Sequence, residues 1–156
     1  MTSGRVVAVN ISAGGVPKLP VDRAFLSANG LEGDRHTDRV HHGGPLRAVC
    51  LFSDDVIAAL RAEGHPIFAG AAGENVTVTG VNWIEVVPGT RWGIGDEAEI
   101  EVTSYTSPCY KNAGWFIDGQ FSRISQSLHP GFARVYARVL VEGAIAAGDQ
   151  FTTRTD

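Results

Sequence analysis

Cysteine is scarce in this chain: its 156 residues include only Cys50 and Cys109. Two thiols cannot build a disulfide framework in a chain of this size, nor a four-cysteine iron–sulfur site. Long apolar runs are missing as well. No stretch approaches the ~18–20 residues that span a bilayer, so no membrane partner is expected. The N-terminus lacks the basic-then-apolar pattern of a secretory signal. Basic charge is also short, with 13 Lys and Arg against 17 Asp and Glu and a formal charge of −4. Nucleic acid as a main partner needs a basic footprint and is therefore not expected, whereas a local cationic cleft for one small anion is compatible with this balance. Together these deficits point to a reducing, cytoplasmic setting.

What the chain does contain is apolar residues (44%) and glycine (19 residues), with 19% charged side chains. This composition fits a folded chain, and the length suits one domain over residues 1–156 with a core that needs no staples. The glycines cluster between short apolar runs, which implies many tight turns and many short strands. Strands are predicted at Arg5–Ile11, around Val21–Leu26, at Arg47–Phe52, Ala98–Thr103 and Val135–Val141. Glu74–Thr79 alternates polar and apolar and reads as a half-buried strand, and Gln150–Thr153 as a final edge strand. Val87-Pro-Gly with Gly95-Asp96, and Val141-Glu-Gly with Gly148-Asp149, each read as strand, corner, strand. That repetition supports a sheet or barrel with sharp corners.

Ser53–Glu63 is the clearest helix. It has Ser53 at the N-cap, Asp54 and Asp55 in the first turn, Val56, Ile57 and Leu60 on one face, and Gly64 to end it. The spacing of Ile117, Phe121, Ile124 and Leu128 predicts a second, shorter helix stopped by His129-Pro130-Gly131. Trp83, Trp92 and Trp115 follow no stacking repeat and read as packing.

Four constellations could carry chemistry. Cys109 lies in the polar loop Thr106–Asn112, stiffened by Pro108, with Lys111 two residues on. A nearby ammonium favours thiolate, which is the nucleophile and the metal ligand, while an ordinary surface cysteine is the plain alternative. Cys50 sits inside an apolar run and reads as an inert core residue. Gly14 and Gly15 follow the first strand and can aim backbone N–H groups at an anion, with Lys18 adding a charge, or form a simple turn. The long polar stretch Asn29–Gly44 holds Asp34, His36, Asp38, His41 and His42 and leads to Arg47. It allows a zinc site, an anion pocket gripped by the Arg47 fork, or a loop packed by its own hydrogen bonds. Gly73 permits a turn before Glu74 and Asn75, and the Asn75 amide offers both donor and acceptor.

Taken in order, Ile11-Ser-Ala-Gly-Gly-Val-Pro-Lys18, Gly30-Leu-Glu-Gly-Asp34, His42-Gly-Gly-Pro-Leu-Arg47, Gly73-Glu-Asn75, Gly95-Asp96, Ser107-Pro-Cys109 and Ala137-Arg-Val-Leu-Val-Glu-Gly143 resemble the MOSC domain, the molybdenum cofactor sulfurase C-terminal domain. The resemblance runs from about residue 5 to 152 and is nearest in length to the small stand-alone bacterial members. It implies a mainly β fold, barrel-like, with a few short helices. Cys109 matches the family cysteine, which in relatives either carries sulfur as a persulfide or binds the molybdenum of the molybdopterin cofactor.

Some relatives reduce N-hydroxylated bases, and this chain has no room for its own flavin or iron–sulfur domain. The resemblance therefore implies a small-molecule substrate and an external electron donor. Larger relatives add an N-terminal β-barrel that holds the pterin; here the motifs begin near residue 5, and a homodimer would complete the pocket.

In these terms Cys109 is expected to be the molybdenum ligand or the persulfide carrier. Lys18, Arg47 and Lys111 would hold the pterin phosphate, with the backbone of Gly14 and Gly15. Asn75 would hydrogen-bond pterin or substrate, and Asp34, His36 and His42 would shape the site or move protons. Three functions stay open: a molybdenum-dependent reductase, a sulfur carrier fed by a sulfur-donor protein, and a cofactor-binding module without catalysis. The sulfur carrier needs Cys109 but no metal, and the site model requires Cys109, Arg47, Asn75 and Lys18 to line one cleft.

Overall fold

The computed structural model describes residues 3–35 and 44–155. The expectations for His36, Asp38, His41 and His42 lie outside the described residues. In chain order the elements are β1 (Ser3–Ile11), β2 (Leu19–Val21), β3 (Arg23–Ser27), β4 (Gly30–Leu31), β5 (Val49–Ser53), α1 (Asp54–Ala62), β6 (Val76–Thr79), β7 (Arg91–Ile94), β8 (Ala98–Tyr105), β9 (Val135–Val141), β10 (Gly143–Ala146) and β11 (Gln150–Arg154). Short 3-10 turns fill several connections, among them Pro45–Arg47 and Tyr110–Trp115.

The main sheet is a barrel. The order β11-β7-β8-β9-β5-β6-β1 closes on itself because β1 also pairs with β11, and β2 hangs on β1 as a hairpin. β5 and β6 run parallel, and the connection between them carries α1; the other pairings are antiparallel. A parallel pair needs such a crossover, so the one clear helix of the sequence sits where topology requires it. A small second sheet orders β10-β3-β4.

Side-chain alternation explains the interior. Ala98, Ile100 and Val102 are buried while Glu99, Glu101 and Thr103 are half-buried, as the period of two predicts. Trp92 on β7 stacks on Phe151 of β11, with ring centroids 4.8 Å apart and planes 5° apart. β5 is buried at every residue, because strands on both sides and packing on both faces leave none exposed. The Ser53 hydroxyl accepts from the Val56 N–H at 3.1 Å and caps α1.

Three expectations change. Ile117–Leu128 is not one helix but separate 3-10 turns, because Asp118 (φ 53°) and Gly119 (φ 68°) take left-handed backbone that no helix tolerates. Ile124 is buried while Leu128 is exposed. β6 and its approach are not half-buried: Glu74, Asn75, Val76, Thr77 and Val78 are all buried, since β6 lies between β5 and β1. β11 is not an edge, because it closes the barrel between β7 and β1. No helix among the described residues is long and apolar enough to cross a membrane.

Candidate functional site

One end of the barrel gathers the chemistry. β1 and β8 leave there, β5, β6 and β9 enter, and the connecting loops surround a cleft of about 620 Å³ counted out to its open mouth. Lys18, Arg47, Asn75 and Cys109 all line it, as the sequence required, and so do Gly15 and Lys111. Gly14 is in the adjoining loop, where its N–H donates to the Ser12 hydroxyl at 3.2 Å.

The β8–β9 ladder shapes one wall. Its register slips between Val102↔Ala137 and Ser104↔Tyr136, leaving Thr103 as the extra residue. A bulge of this kind bends a strand and re-aims side chains, here at the Tyr136 position. Tyr136 also stands directly across from Cys50 on β5, and the Arg47 guanidinium lies 5.6 Å from the centre of its ring. Burial pushes the Tyr136 phenol well above the usual tyrosine range, so the hydroxyl keeps its proton.

Asn75 binds the wall together rather than facing a ligand. Its N–H donates to the Cys50 carbonyl at 2.8 Å, and its Oδ1 accepts from the Cys50 N–H at 3.0 Å. Its Nδ2 donates to the Asn10 carbonyl at 3.3 Å and to the Asp34 carboxylate at 2.9 Å. Both amide protons are therefore used within the protein, which revises the role expected of Asn75 toward pterin or substrate.

Asp34 is similarly occupied. Its oxygens accept from the Lys18 ammonium at 2.7 and 2.8 Å, from the Ser12 N–H at 2.9 Å and from Asn75. Its side chain is 1% exposed. A carboxylate so surrounded by donors shapes the site and is badly placed to move protons. Lys18 lines the cleft, but its charge is matched by Asp34, so its expected hold on a phosphate passes to other cations.

Sequence reasoning missed Arg35, Asn112, Arg134 and Tyr136, all of which line the cleft. With Lys18, Arg47 and Lys111 they make a lining that, among the described residues, holds five cationic side chains, one of which, Lys18, is paired with Asp34. Arg134 is 2% exposed and reads in sequence as a surface charge beside an apolar strand. Its only early signal is that it directly precedes the run Val135–Val141.

Cys109 is half-buried and forms the boundary between the loop after β8 and the turn Tyr110–Trp115. Cys50 is buried as expected, yet it also faces the cleft. Its sulfur lies 3.7 Å from the Thr106 hydroxyl, and burial pushes its thiol up, so it stays protonated. Both cysteines are free thiols. Among the described residues no group of three His, Cys, Asp or Glu side chains is placed to hold a metal.

The MOSC domain family model matches residues 38–152. The chain is 34% identical over 137 residues to the uncharacterized protein YflK of Bacillus subtilis, covering 86% of this chain and 60% of that one. It is 33% identical over 132 residues to a Gibberella moniliformis protein named Reductase, covering 80% and 22%. It is 36% identical over 103 residues to YiiM of Escherichia coli, covering 62% and 45%. The chain thus spans less than two thirds of the length of each of these relatives. Among solved structures, YiiM of Geobacillus stearothermophilus superposes with a TM-score of 0.73 at 24% identity, covering 97% of this chain and 75% of that one. The YuaD protein of Bacillus subtilis gives 0.75 at 16% identity, covering 99% and 97%. At these identities the structural likeness speaks for the fold.

Proposed function

The chain belongs to the MOSC domain family, and on that premise we propose that its cleft binds a molybdenum–molybdopterin cofactor through Cys109 and reduces N-hydroxylated small molecules with electrons from a separate redox protein. The observation that carries this reading is the lining itself: among the described residues it holds five cationic side chains, one of them, Lys18, paired with Asp34, together with the half-buried Cys109 thiol, in a chain of net charge −4. Anion binding needs such a local excess of positive charge, and a soft metal needs a soft ligand.

The residues fit the group. A half-buried thiol suits molybdenum, and Arg35, Arg47 and Lys111 would hold a terminal phosphate, with the arginines able to grip it in a fork. The Gly15 backbone takes φ +74° and lines the cleft beside them. When bound, the group supplies a two-electron redox centre. The protein's own residues do the rest. Val16 and Ala72 give part of the cleft an apolar wall. Tyr136 keeps a hydroxyl donor protonated beside the thiol. The net conversion takes the N–O bond of the substrate, two electrons and two protons to an N–H and water. A cytoplasmic redox protein would supply the electrons, and a second copy of the chain would close the pocket.

The test is turnover of an N-hydroxylated amidine by cofactor-loaded protein with a chemical electron donor. The reading predicts reduction that is lost in Cys109→Ser; equal rates in both proteins would refute it. A second reading, persulfide carriage on Cys109, draws on the protonated state of Cys50. A neighbouring thiolate would attack a persulfide and release its sulfur, whereas a thiol held neutral by burial would not. That reading predicts a species about 32 Da heavier, one sulfur added, after anaerobic incubation with a sulfane-sulfur donor, removed by a thiol reductant (which a sulfinate of the same added mass resists) and absent in Cys109→Ser.

A further inference from the structure

Arg134 carries a role that neither the sequence motifs nor the family match assigns. Its guanidinium is almost completely enclosed. It spends two N–H groups on backbone carbonyls: Nη1 donates to Ala72 at 2.8 Å, and Nη2 to Ser107 at 3.0 Å. Its own carbonyl accepts from the Thr106 N–H at 2.9 Å. Arg134 thus holds the two residues that lead into the Pro108–Cys109 step.

The far side of Cys109 is tied to the same point. The Asn112 N–H donates to the Cys109 carbonyl at 2.9 Å, and Asn112 Nδ2 donates to the Ala72 carbonyl at 3.1 Å. The Ala72 oxygen therefore receives Arg134 from one flank of the thiol loop and Asn112 from the other. Ala72 precedes Gly73, whose φ of +95° and closeness to Val16 (3.0 Å from a built Cβ) exclude a side chain there without strain. A carbonyl in so constrained a turn is a firm anchor.

A buried cation is costly, and this one leaves its Nε without a hydrogen-bond partner. A lysine or a neutral side chain could fill the volume more cheaply, so what Arg134 gains lies in the two carbonyls that Nη1 and Nη2 reach. The planar fork is the feature that only arginine offers: it reaches two carbonyls on two different segments at once. We propose that Arg134 is a positioning residue for Cys109, clamping Thr106–Ser107 to the Ala72 turn so that the thiol is presented to the cleft. The proposal rests on the reading of Cys109 as the functional thiol, but its geometry and its test do not depend on which cofactor or sulfur species that thiol carries.

Hydrogen exchange followed by mass spectrometry, on the full chain, tests it in Arg134→Met and Arg134→Lys beside the wild type. Loss of the clamp is expected to raise exchange in the segment 106–112 about tenfold, the change that follows from losing one or two buried hydrogen bonds, while β7 and the middle of β8 stay unchanged. Arg134→Lys keeps the charge but not the two-carbonyl fork, so that segment should stay raised severalfold above wild type; exchange at the wild-type level in Arg134→Lys would show that the fork is not what clamps the loop. Alkylation of Cys109 should rise in parallel in Arg134→Met. Because removal of Arg134 deprives the buried Glu74 of an electrostatic partner, the same comparison in a Glu74→Gln background separates the clamp from general loss of stability. Unchanged exchange at 106–112, or a rise spread evenly over the barrel in both backgrounds, overturns the proposal. Absence of molybdenum from the wild type would instead count against the cofactor reading, with the exchange result standing by itself.

Discussion

The Lys18 ammonium lies 2.7 and 2.8 Å from the two carboxylate oxygens of Asp34, with both side chains nearly enclosed. This pair links the loop after β1 to the segment before the Asn29–Gly44 stretch ends, and it sets one wall of the cleft. Removing one partner of a buried pair leaves a charge without compensation and costs about 3–5 kcal/mol. Asp34→Asn is therefore expected to lower stability in urea melts by that order, and Lys18→Met combined with Asp34→Asn to recover a large part of it. An additive loss in the double variant would show that the two side chains are not coupled.

Asn75 makes a prediction of a different kind. It replaces rungs of the ladder on both sides, to Cys50 and to Asn10, and donates to Asp34. Asn75→Ala strands the Cys50 N–H and an Asp34 oxygen in the interior, which should cost about 2–3 kcal/mol. Thermal or urea unfolding checks this. A variant of unchanged stability with lost ligand binding would instead return Asn75 to the ligand-contact role.

Glu74 ties stability to pH. It is fully buried, its Oε2 accepts from the Gly70 N–H at 2.8 Å and the Thr77 hydroxyl at 2.9 Å, and burial raises its carboxyl above the usual 4.5. A raised native value means that the folded state holds the proton more tightly than the unfolded chain. Its contribution is therefore fully present below about 4.5 and is lost as pH climbs from there toward the native value. Glu74→Gln keeps an acceptor for both donors and removes the ionisation. Its stability relative to wild type should improve between pH 5 and pH 8, read from urea midpoints; a difference that does not vary with pH would contradict this.

Much of the barrel was legible because strand alternation and turn glycines are local signals. Val135–Val141 matches β9 at both ends, and Ser53 caps α1 as its residue type predicts. The failures came from non-local causes. Glu74 and Thr77 look solvent-facing in sequence, but strands on either side bury them, and the Thr77 hydroxyl donates to Glu74 Oε2 while Glu74 Oε1 stays without a hydrogen-bond partner. The spacing of Ile117, Phe121, Ile124 and Leu128 suits a helix, and only the backbone at Asp118 and Gly119 breaks it.

The site divides the same way. Cys109, Lys18, Arg47, Asn75 and Lys111 share one cleft, as ordered motifs suggested. Which of them face a ligand could not be read, because that depends on Asp34 neutralising Lys18 and on Cys50 and Asn10 occupying Asn75. Tyr136 escaped notice because a phenol within an apolar strand looks ordinary until β5 and β8 pair on either side of it, and Arg134 because a charge just before that strand looks solvent-facing until the Ala72 and Ser107 carbonyls hold it.

The central claim is that Cys109 in the cationic cleft holds a molybdenum cofactor. Elemental mass spectrometry of protein purified from a host that makes molybdopterin tests it most directly, with wild type beside Cys109→Ala. The account predicts near-stoichiometric molybdenum in the wild type and its loss in the variant. No molybdenum in either protein, or equal amounts in both, would contradict it.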